Sequence, residues 1–313
     1  MTSKNRLILK ILISASALAI AFHNTDISAL AQIGLNLNWP ILSLAVLASV
    51  GSVNLLGLRW RQILQPIASA PLGLLVRAQY IGLFGNNVFP FRAGEFMRAD
   101  YVRKQLEKGF ISVLATIFFE RLLDLLCVGI IFGILIVTTS IAYLPLDYEA
   151  YYLAGALLFT GIVIVFVQNR MRIINLLARR FPNTVGGKEW LSELLTYRAI
   201  WSYLLLSALV WSMYALRFQL VLISVDLPID PGLIALLLVA TAAGFMIPAA
   251  PGAIGTYHMA VVFSMHNLYG IDLIIAQATS IVLHLSGYIP STVIGFIAFI
   301  GSSEVIRDAG KEN

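Results

Sequence analysis

Residues 80–104, YIGLFGNNVFPFRAGEFMRADYVRK, begin as apolar sequence, are interrupted at Pro90 and Gly94, and then become charged. A helix cannot continue unbroken through Pro90, because proline lacks a backbone donor and clashes with the preceding turn. At membrane depth such a break is tolerated only where protein or a water-filled cavity satisfies the freed backbone groups. The stretch therefore predicts a broken helix inside a membrane protein.

A second stretch, residues 243–258 (AGFMIPAAPGAIGTYH), resembles the first. Pro248 and Gly252 have the P-x-x-x-G spacing of Pro90 and Gly94. The offset, 248 minus 90, is 158 residues, close to half of the 313-residue chain. Two such breaks, half a chain apart, predict an internal repeat.

The composition sets the class of protein. Apolar residues make up 59% of the chain and charged residues 12%, whereas soluble domains have about 45–50% and about 25%. This indicates an all-α, polytopic integral membrane protein. We expect a single membrane domain, residues 1–313, with pseudo-repeats at about 1–145 and 146–313 and no separate catalytic domain.

Two counts exclude other classes of site. The single cysteine, Cys127, rules out an intramolecular disulfide and a cysteine metal cluster. The net charge of +5 is interpreted by position, because basic residues in the loops of membrane proteins report orientation. We therefore expect no metal, no cofactor and no nucleic-acid partner.

Hydropathy and the positions of lysine and arginine predict six full spans and two re-entrant hairpins. The full spans are residues 7–22, 41–58, 111–143, 150–167, 200–225 and 274–300, and the hairpins are residues 71–108 and 233–268. Trp39 and Trp60, about 31 Å apart on a helix, are expected at the two interfaces of the second span. Arg59 and Arg61 then mark its cytoplasmic side.

The positive-inside rule decides the topology. Full crossing of the first broken helix would place a basic cluster outside, and a hairpin entering from the cytoplasm avoids this. Three spans per half require an inverted second half, with opposed hairpins, a midplane site at their tips and both termini cytoplasmic, as in many secondary transporters. The alternatives are eight to ten full spans, or a signal peptide in place of the first span, cleaved near residues 29–31.

Charges inside the third span indicate a site. Glu120, Arg121 and Asp124 lie about 15 Å into a helix, where ionisable groups are costly and mark functional positions. The alternative is an internal ion pair, between Arg121 and Asp124 three residues further on, that only ties helices together. The arginines that could pair with Glu120, if its carboxylate does not titrate, are Arg92, Arg98 and Arg217.

Charges also follow the first break at helical spacing. Arg92 and Glu95 lie where the helix restarts, and a helix N-terminus offers N–H donors to an anion. Arginine suits phosphate through its planar fork. A solvated helix face is the alternative, and it has more weight for Arg98 and Asp100 than for Arg92 and Glu95.

The second broken stretch carries no charge. Its prolines and glycines allow close backbone approach and leave amides and carbonyls free: Pro248, Pro251, Gly252 and Gly255. His258 follows as either a packed histidine or a proton carrier. His284 and Gln277, in the last span, are similar polar candidates.

Three motifs in order carry a family resemblance: GNNVFPFRAGEFMRADYVRK (85–104), FFERLLDLL (118–126) and IPAAPGAIGTYH (247–258). The chain resembles the flippase-like family related to the transmembrane region of lysylphosphatidylglycerol synthase. Members are associated with moving or presenting lipids such as aminoacylated phosphatidylglycerol, isoprenoid-linked sugars or hopanoid-type lipids. The resemblance implies these motif residues: Asn87, Pro90, Arg92, Gly94, Glu95 and Arg98; Glu120, Arg121 and Asp124; Pro248, Pro251, Gly252 and Gly255.

There are two departures from the family. It often carries an acid where this chain has His258, which puts acid-dependent coupling there in doubt. The aminoacyl-transfer domain of the full synthase is not present in the sequence. We therefore expect no lysylphosphatidylglycerol synthesis and no enzyme activity.

The favoured function is a flippase-like transporter in the cell (plasma or inner) membrane, for an anionic phospholipid or isoprenoid-linked lipid. Arginines at the midplane would compensate the head group, and Glu95 and Glu120 would balance charge or exchange a proton. The predicted substrate-binding residues are Asn87, Arg92, Glu95, Arg98, Glu120, Arg121, Asp124, Arg217 and His258. The alternatives are a non-catalytic partner of a membrane synthase, an ion or small-solute transporter, and a membrane glycosyltransferase that uses acids such as Asp226 and Asp230.

Overall fold

The computed structural model describes residues 3–138, 193–194 and 196–309. All regular elements in these ranges are helical, which confirms the predicted class for this part of the chain. The α-helices are α1 Ser3–Ala21, α2 Ile27–Leu35, α3 Trp39–Leu64, α4 Leu72–Val88, α5 Ala93–Leu106, α6 Phe110–Thr138, α7 Tyr197–Ser224, α8 Pro231–Met246, α9 Thr256–Val262 and α10 Leu273–Ala309. The predicted span 150–167 and the repeat boundary near residue 145 lie outside the described residues.

Within the described ranges, three helices are long and apolar enough to cross a bilayer: Trp39–Leu64, Arg198–Ser224 and Leu273–Ser302. Large apolar side chains on them are exposed, among them Leu47, Trp201 and Ile297. In a protein with such helices, exposed apolar surface of this kind faces lipid. The chain is therefore an α-helical membrane protein, while the number of six spans and the inverted repeat stay predictions.

The first broken helix folds as a hairpin, called here the first hairpin: α4, the turn Pro90–Arg92, and α5. Phe91 and Arg92 in the turn have left-handed backbone, with φ of 65° and 53°. Its arms of 17 and 14 residues rise about 26 Å and about 21 Å, less than the roughly 30 Å of a hydrocarbon core. Entry and return on one membrane face stay a prediction.

Glycines let the two arms of the first hairpin touch. A Cβ on Gly94 would overlap the carbonyl oxygen of Gly82, and one on Gly85 would lie 2.6 Å from the Cα of Gly94. At the start of α5, the Gly94 N–H donates to Asn86 Oδ1 at 3.0 Å. The arms therefore need glycine at this contact, and the amide of Asn86 satisfies one of the free N–H groups of the helix end.

The second hairpin consists of α8, the turn Pro251–Ala253 and α9, which continues as a π-helical segment, Phe263–Leu268. Gly252 and Ala253 have φ of 67° and 55°. The arms meet where Thr256 Oγ1 donates to the carbonyl oxygen of Gly244 at 2.9 Å. This hairpin is built from the neutral sequence predicted for it.

The backbone changes the pairing of the two breaks. In both turns a proline is followed by two left-handed residues, and this pattern starts at Pro90 and at Pro251. A glycine follows four residues later in each, Gly94 and Gly255. The counterpart of Pro90 is thus Pro251 rather than Pro248, at an offset of 161 residues (251 minus 90).

The described residues form two compact units. Unit 1 contains residues 3–50, 128–138 and 212–290, and unit 2 contains residues 51–127, 193–194, 196–211 and 291–309. Unit 1 includes the second hairpin, against which α1 packs, since the Ala250 N–H donates to Ser14 Oγ at 2.7 Å. Unit 2 includes the first hairpin.

The core of unit 2 corrects one prediction. Trp60 is completely buried, and its Nε1–H donates to Thr116 Oγ1 at 2.8 Å. It therefore packs inside the protein and does not face lipid, whereas Trp39 is 59% exposed. The predicted span ends at residue 58, whereas α3 continues to Leu64 and packs Trp60, Ile63 and Leu64 inside the protein.

Candidate functional site

Seven charged side chains of unit 2 form a continuous chain of ion pairs, called here the ion-pair ladder. Its members are contributed by α3, the Pro90–Arg92 turn, α5 and α6. In order of contact they are Arg92, Glu95, Arg121, Asp124, Arg59, Glu120 and Arg98. Four arginines against three carboxylates leave one net positive charge, with an arginine at each end.

One end of the ladder is open. Arg92 is 53% exposed and Arg121 is 38% exposed, and both face the same oxygen, Glu95 Oε1. The Arg92 Nη2 and Arg121 Nε distances to that oxygen are 3.6 Å and 3.8 Å, longer than hydrogen bonds. A single carboxylate oxygen therefore occupies the space between two guanidinium groups without satisfying either of them.

The middle of the ladder centres on Asp124. Arg121 Nη1 lies 3.3 Å from Asp124 Oδ2, one turn away on α6, which is the pair that the sequence predicted. Arg59 Nη1 donates to Asp124 Oδ1 at 2.8 Å and to Ser207 Oγ at 3.1 Å. Asp124 thus links the exposed arginine of α6 to a completely buried arginine of α3.

The other end of the ladder is closed. Glu120 is completely buried, with Oε2 2.9 Å from Arg98 Nη1 and Oε1 3.9 Å from Arg59 Nη2. Gln79 bridges the pair, donating to Glu120 Oε1 at 3.2 Å and accepting from Arg98 Nη1. The Arg98 guanidinium also lies over the Trp60 ring, 4.9 Å from its centroid. A buried charge needs such partners, because desolvation costs several kcal/mol per ion.

The burial of Arg98 overturns the solvated-face interpretation. Close packing of α5 on α4 turns this side chain onto Gln79, so that Arg98 is 2% exposed. Asp100 does lie at the surface, within 2.7 Å of Arg103 and Lys104. Of the three arginines suggested for Glu120, Arg98 is the partner, and Arg92 pairs with Glu95 instead.

The remaining predicted site residues are not members of the ladder. Asn87 Nδ2 donates to Ser291 Oγ at 3.1 Å and to Thr292 Oγ1 at 2.9 Å, so it joins the first hairpin to α10. Arg217 and His258 belong to unit 1. Among the described residues, no group of three His, Cys, Asp or Glu side chains is placed to hold a metal ion.

Comparison with known proteins identifies the family. A family model described as the lysylphosphatidylglycerol synthase TM region matches residues 7–295. The chain belongs to this family. The three sequence motifs of this family member lie on the first hairpin, on α6 and on the second hairpin.

One relative of this family member is Glycosyltransferase AglD of Haloferax volcanii. The two are 24% identical over 325 residues, which cover 90% of this chain and 52% of the relative. The chain thus spans about half the length of the curated relative it matches. No solved structure matches the chain.

Sequence reasoning missed two members of the site, Arg59 and Gln79. The hydropathy pattern places Arg59 at the cytoplasmic end of a span, whereas Trp60, Ile63 and Leu64 continue the apolar helix beyond it. That continuation is the signal that could have placed Arg59 inside the protein. A second signal is charge balance, because Glu120 and Asp124 share α6 with only one arginine.

Proposed function

We propose that this chain is a flippase-like transporter, which moves a lipid with a phosphate-bearing head group between the leaflets of the cell membrane, both termini being cytoplasmic. Its family and its apolar helices support a membrane role. The observation that carries the proposal is the open end of the ladder, where two partly exposed arginines share one oxygen of Glu95.

The open end has the chemistry of an anion site. A guanidinium presents planar, paired donors that match phosphate oxygens, and charge-assisted hydrogen bonds of this kind are among the strongest in proteins. A phosphate has enough acceptor oxygens for both Arg92 and Arg121, whereas Glu95 offers them one oxygen at long range. In this proposal the head group displaces Glu95 and takes its place between the two arginines.

The closed end serves as support for the open end. Glu120, Gln79 and Asp124 hold Arg98 and Arg59 in fixed positions. Arg121 is held in turn by Asp124, so the guanidinium that meets the head group is oriented before the lipid arrives. Preorganisation of this kind lowers the entropic cost of binding.

We place no covalent chemistry in this region, and the proposal is transport rather than enzymatic catalysis. The part of the site within the described residues offers arginines and paired carboxylates. A second candidate is a non-catalytic membrane partner of a synthase. It is favoured by the relative named a glycosyltransferase, of which this chain covers 52%.

The first test compares charge-matched variants in vesicles. The purified protein is reconstituted with a labelled lipid carrying a phosphate head group, and its movement between leaflets is followed. Arg92→Gln/Arg121→Gln should slow this movement about tenfold or more, because the head group would lose one or more charged hydrogen bonds. The control, Arg103→Gln/Lys104→Gln, also removes two positive charges. These residues of α5 pair with Asp100 at the surface, so their loss should have little effect.

The second test isolates the role of Glu95. Glu95→Gln removes the competing carboxylate and keeps both arginines, so the purified variant should retain more phosphate-bearing lipid than wild type, as measured by mass spectrometry. Equal retention by both would contradict the displacement step. Lipid movement no faster than in protein-free vesicles, together with co-purification of a synthase in equal amount, would favour the partner role.

A further inference from the structure

Unit 1 contains a hydrogen-bonded pair of buried histidines next to the break of the second hairpin. His284 Nδ1 lies 3.1 Å from His258 Nε2. The outer nitrogens also have partners: His258 Nδ1 is 3.2 Å from Ser280 Oγ, and His284 Nε2 is 3.0 Å from the carbonyl oxygen of Gly252. All four ring nitrogens are therefore in contact with a hydrogen-bonding atom.

The acceptors at the two ends of this row of contacts determine which ring nitrogens carry hydrogens. The carbonyl of Gly252 can only accept, so His284 Nε2 must carry a hydrogen. Ser280 Oγ is 2.7 Å from the carbonyl oxygen of Gln277, which also can only accept. The serine has one hydrogen, and if that hydrogen goes to Gln277, then His258 Nδ1 must donate to Ser280.

With two neutral rings, this row of hydrogen-bonding groups has three hydrogens for four contacts. Two come from the rings and one from Ser280, while the contacts are with Gln277, Ser280, the other ring and Gly252. One additional proton supplies the fourth hydrogen, whichever ring carries it. We infer that His258 and His284 form a proton-binding site that holds one shared proton.

The surroundings of the pair are aromatic. Tyr257 stacks on His284 with ring centroids 4.7 Å apart, and Tyr288 meets His284 edge-on at 5.3 Å. Phe22, the residue directly after α1, meets His258 edge-on at 5.7 Å. The face of an aromatic ring attracts a cation, so the stacked ring of Tyr257 favours the imidazolium.

Two influences oppose the additional proton. Both histidines are more than 90% buried, and burial disfavours a charged group. Arg217, on α7, interacts electrostatically with His284, and its positive charge repels a second cation. These two influences limit the site to one proton.

The proton would act on the break itself. Gly252 is the first left-handed residue of the Pro251–Ala253 turn, and its carbonyl oxygen is bound by His284 on α10. A positively charged imidazole donates a stronger hydrogen bond than a neutral one. Protonation would therefore tighten the hold of α10 on the second hairpin. The proton adds to a ring lone pair and comes from water, so no redox partner is involved.

Histidine nitrogen NMR tests this directly. The full chain, labelled with ¹⁵N-histidine in lipid nanodiscs, is titrated from about pH 8 down to about pH 4, the range that brackets ordinary and burial-shifted histidines. Chemical shifts distinguish protonated ring nitrogens from lone-pair nitrogens. We expect a state with three protonated nitrogens among the four of the pair, reached in one step. His23→Gln, which removes an exposed ring, assigns its signals and should leave that step unchanged.

Two variants keep the test decisive. His284→Gln should abolish the shared step, and Ser280→Ala, which keeps both rings, should move it to lower pH. Two neutral rings throughout the titration would overturn the inference, as would separate uptake of one proton by each ring. The count of ring protons does not depend on lipid movement, so a negative result here would leave the proposed transport function untouched.

Discussion

The two hairpins share one backbone design and differ in what holds it. Each has a proline followed by two left-handed residues, and arms that meet at glycines. The first is fixed by the ion-pair ladder, whose arginines and carboxylates lie within 4 Å of each other. The second is fixed by hydrogen bonds and stacked rings around His258 and His284, without ion pairs between its described residues. The break is thus a general scaffold, and the charged one is suited to an anion.

The largest effect should come from cutting the ladder at its buried end. Glu120→Ala would leave Arg98 and Arg59 buried without their shared carboxylate, and loss of one partner of a buried pair costs about 3–5 kcal/mol. Denaturant unfolding of the purified protein in detergent measures the change in free energy. Asp100→Ala, which breaks the exposed pairs with Arg103 and Lys104, should cost about 1 kcal/mol or less. Equal losses for both would show that the ladder is not an important support.

The glycine contacts should respond unequally. Gly94→Ala would force a Cβ into the carbonyl oxygen of Gly82, and overpacking against rigid backbone costs about 1–3 kcal/mol or more. In the second hairpin, a Cβ on Gly244 would lie 3.0 Å from the nearest atom, so Gly244→Ala should cost less. Gly73→Ala is the control, because nothing lies within 4 Å of its Cβ position. Thermal unfolding that ranked Gly244→Ala as the more harmful would reverse this comparison.

The sequence predicted the parts of this site that depend on local pattern. Proline and glycine spacing located both breaks, and i, i+3 spacing placed Arg121 beside Asp124. It did not predict the burial of Arg98 or Arg59, because this depends on how α5 packs on α4 and on where α3 ends. Such long-range contacts leave no periodic signal in one sequence. The pairing of Pro90 with Pro248 was displaced by three residues, because two prolines, Pro248 and Pro251, fit the same spacing and only backbone angles separate them.

A smaller and more even effect is expected where each hairpin is tied to a neighbouring helix. Asn87 joins the first hairpin to α10, and Ser14 of α1 accepts from Ala250 in the second. Asn87→Ala and Ser14→Ala should each destabilise the protein by about 1 kcal/mol, the usual worth of a hydrogen bond. The free energy of unfolding, measured with denaturant in detergent, is the quantity to compare. A several-fold larger loss for one of them would show that this hairpin relies on its neighbour more than on its own arms.

The smallest effect lies outside both hairpins, at the start of α2. The Ser28 hydroxyl, with the backbone N–H groups of Ala29 and Ser28, donates to Asp26 and lowers the pKa of its carboxyl below 3.8. A lowered pKa in the folded state means that this capping stabilisation is present above the ordinary value and is lost as the pH falls through the lower one. Hydrogen-exchange protection of α2 should therefore decline in acid. Asp26→Asn should remove that decline, and an unchanged decline would assign it to another group.

The order of signs along the ion-pair ladder has a consequence for how this sequence can evolve. Loss of a terminal arginine, Arg92 or Arg98, leaves six charges that still alternate and sum to zero. Loss of an interior member such as Asp124 instead brings two arginines face to face. Across related sequences, the interior positions should therefore change together or not at all, whereas Arg92, half exposed at one end, is free to vary alone.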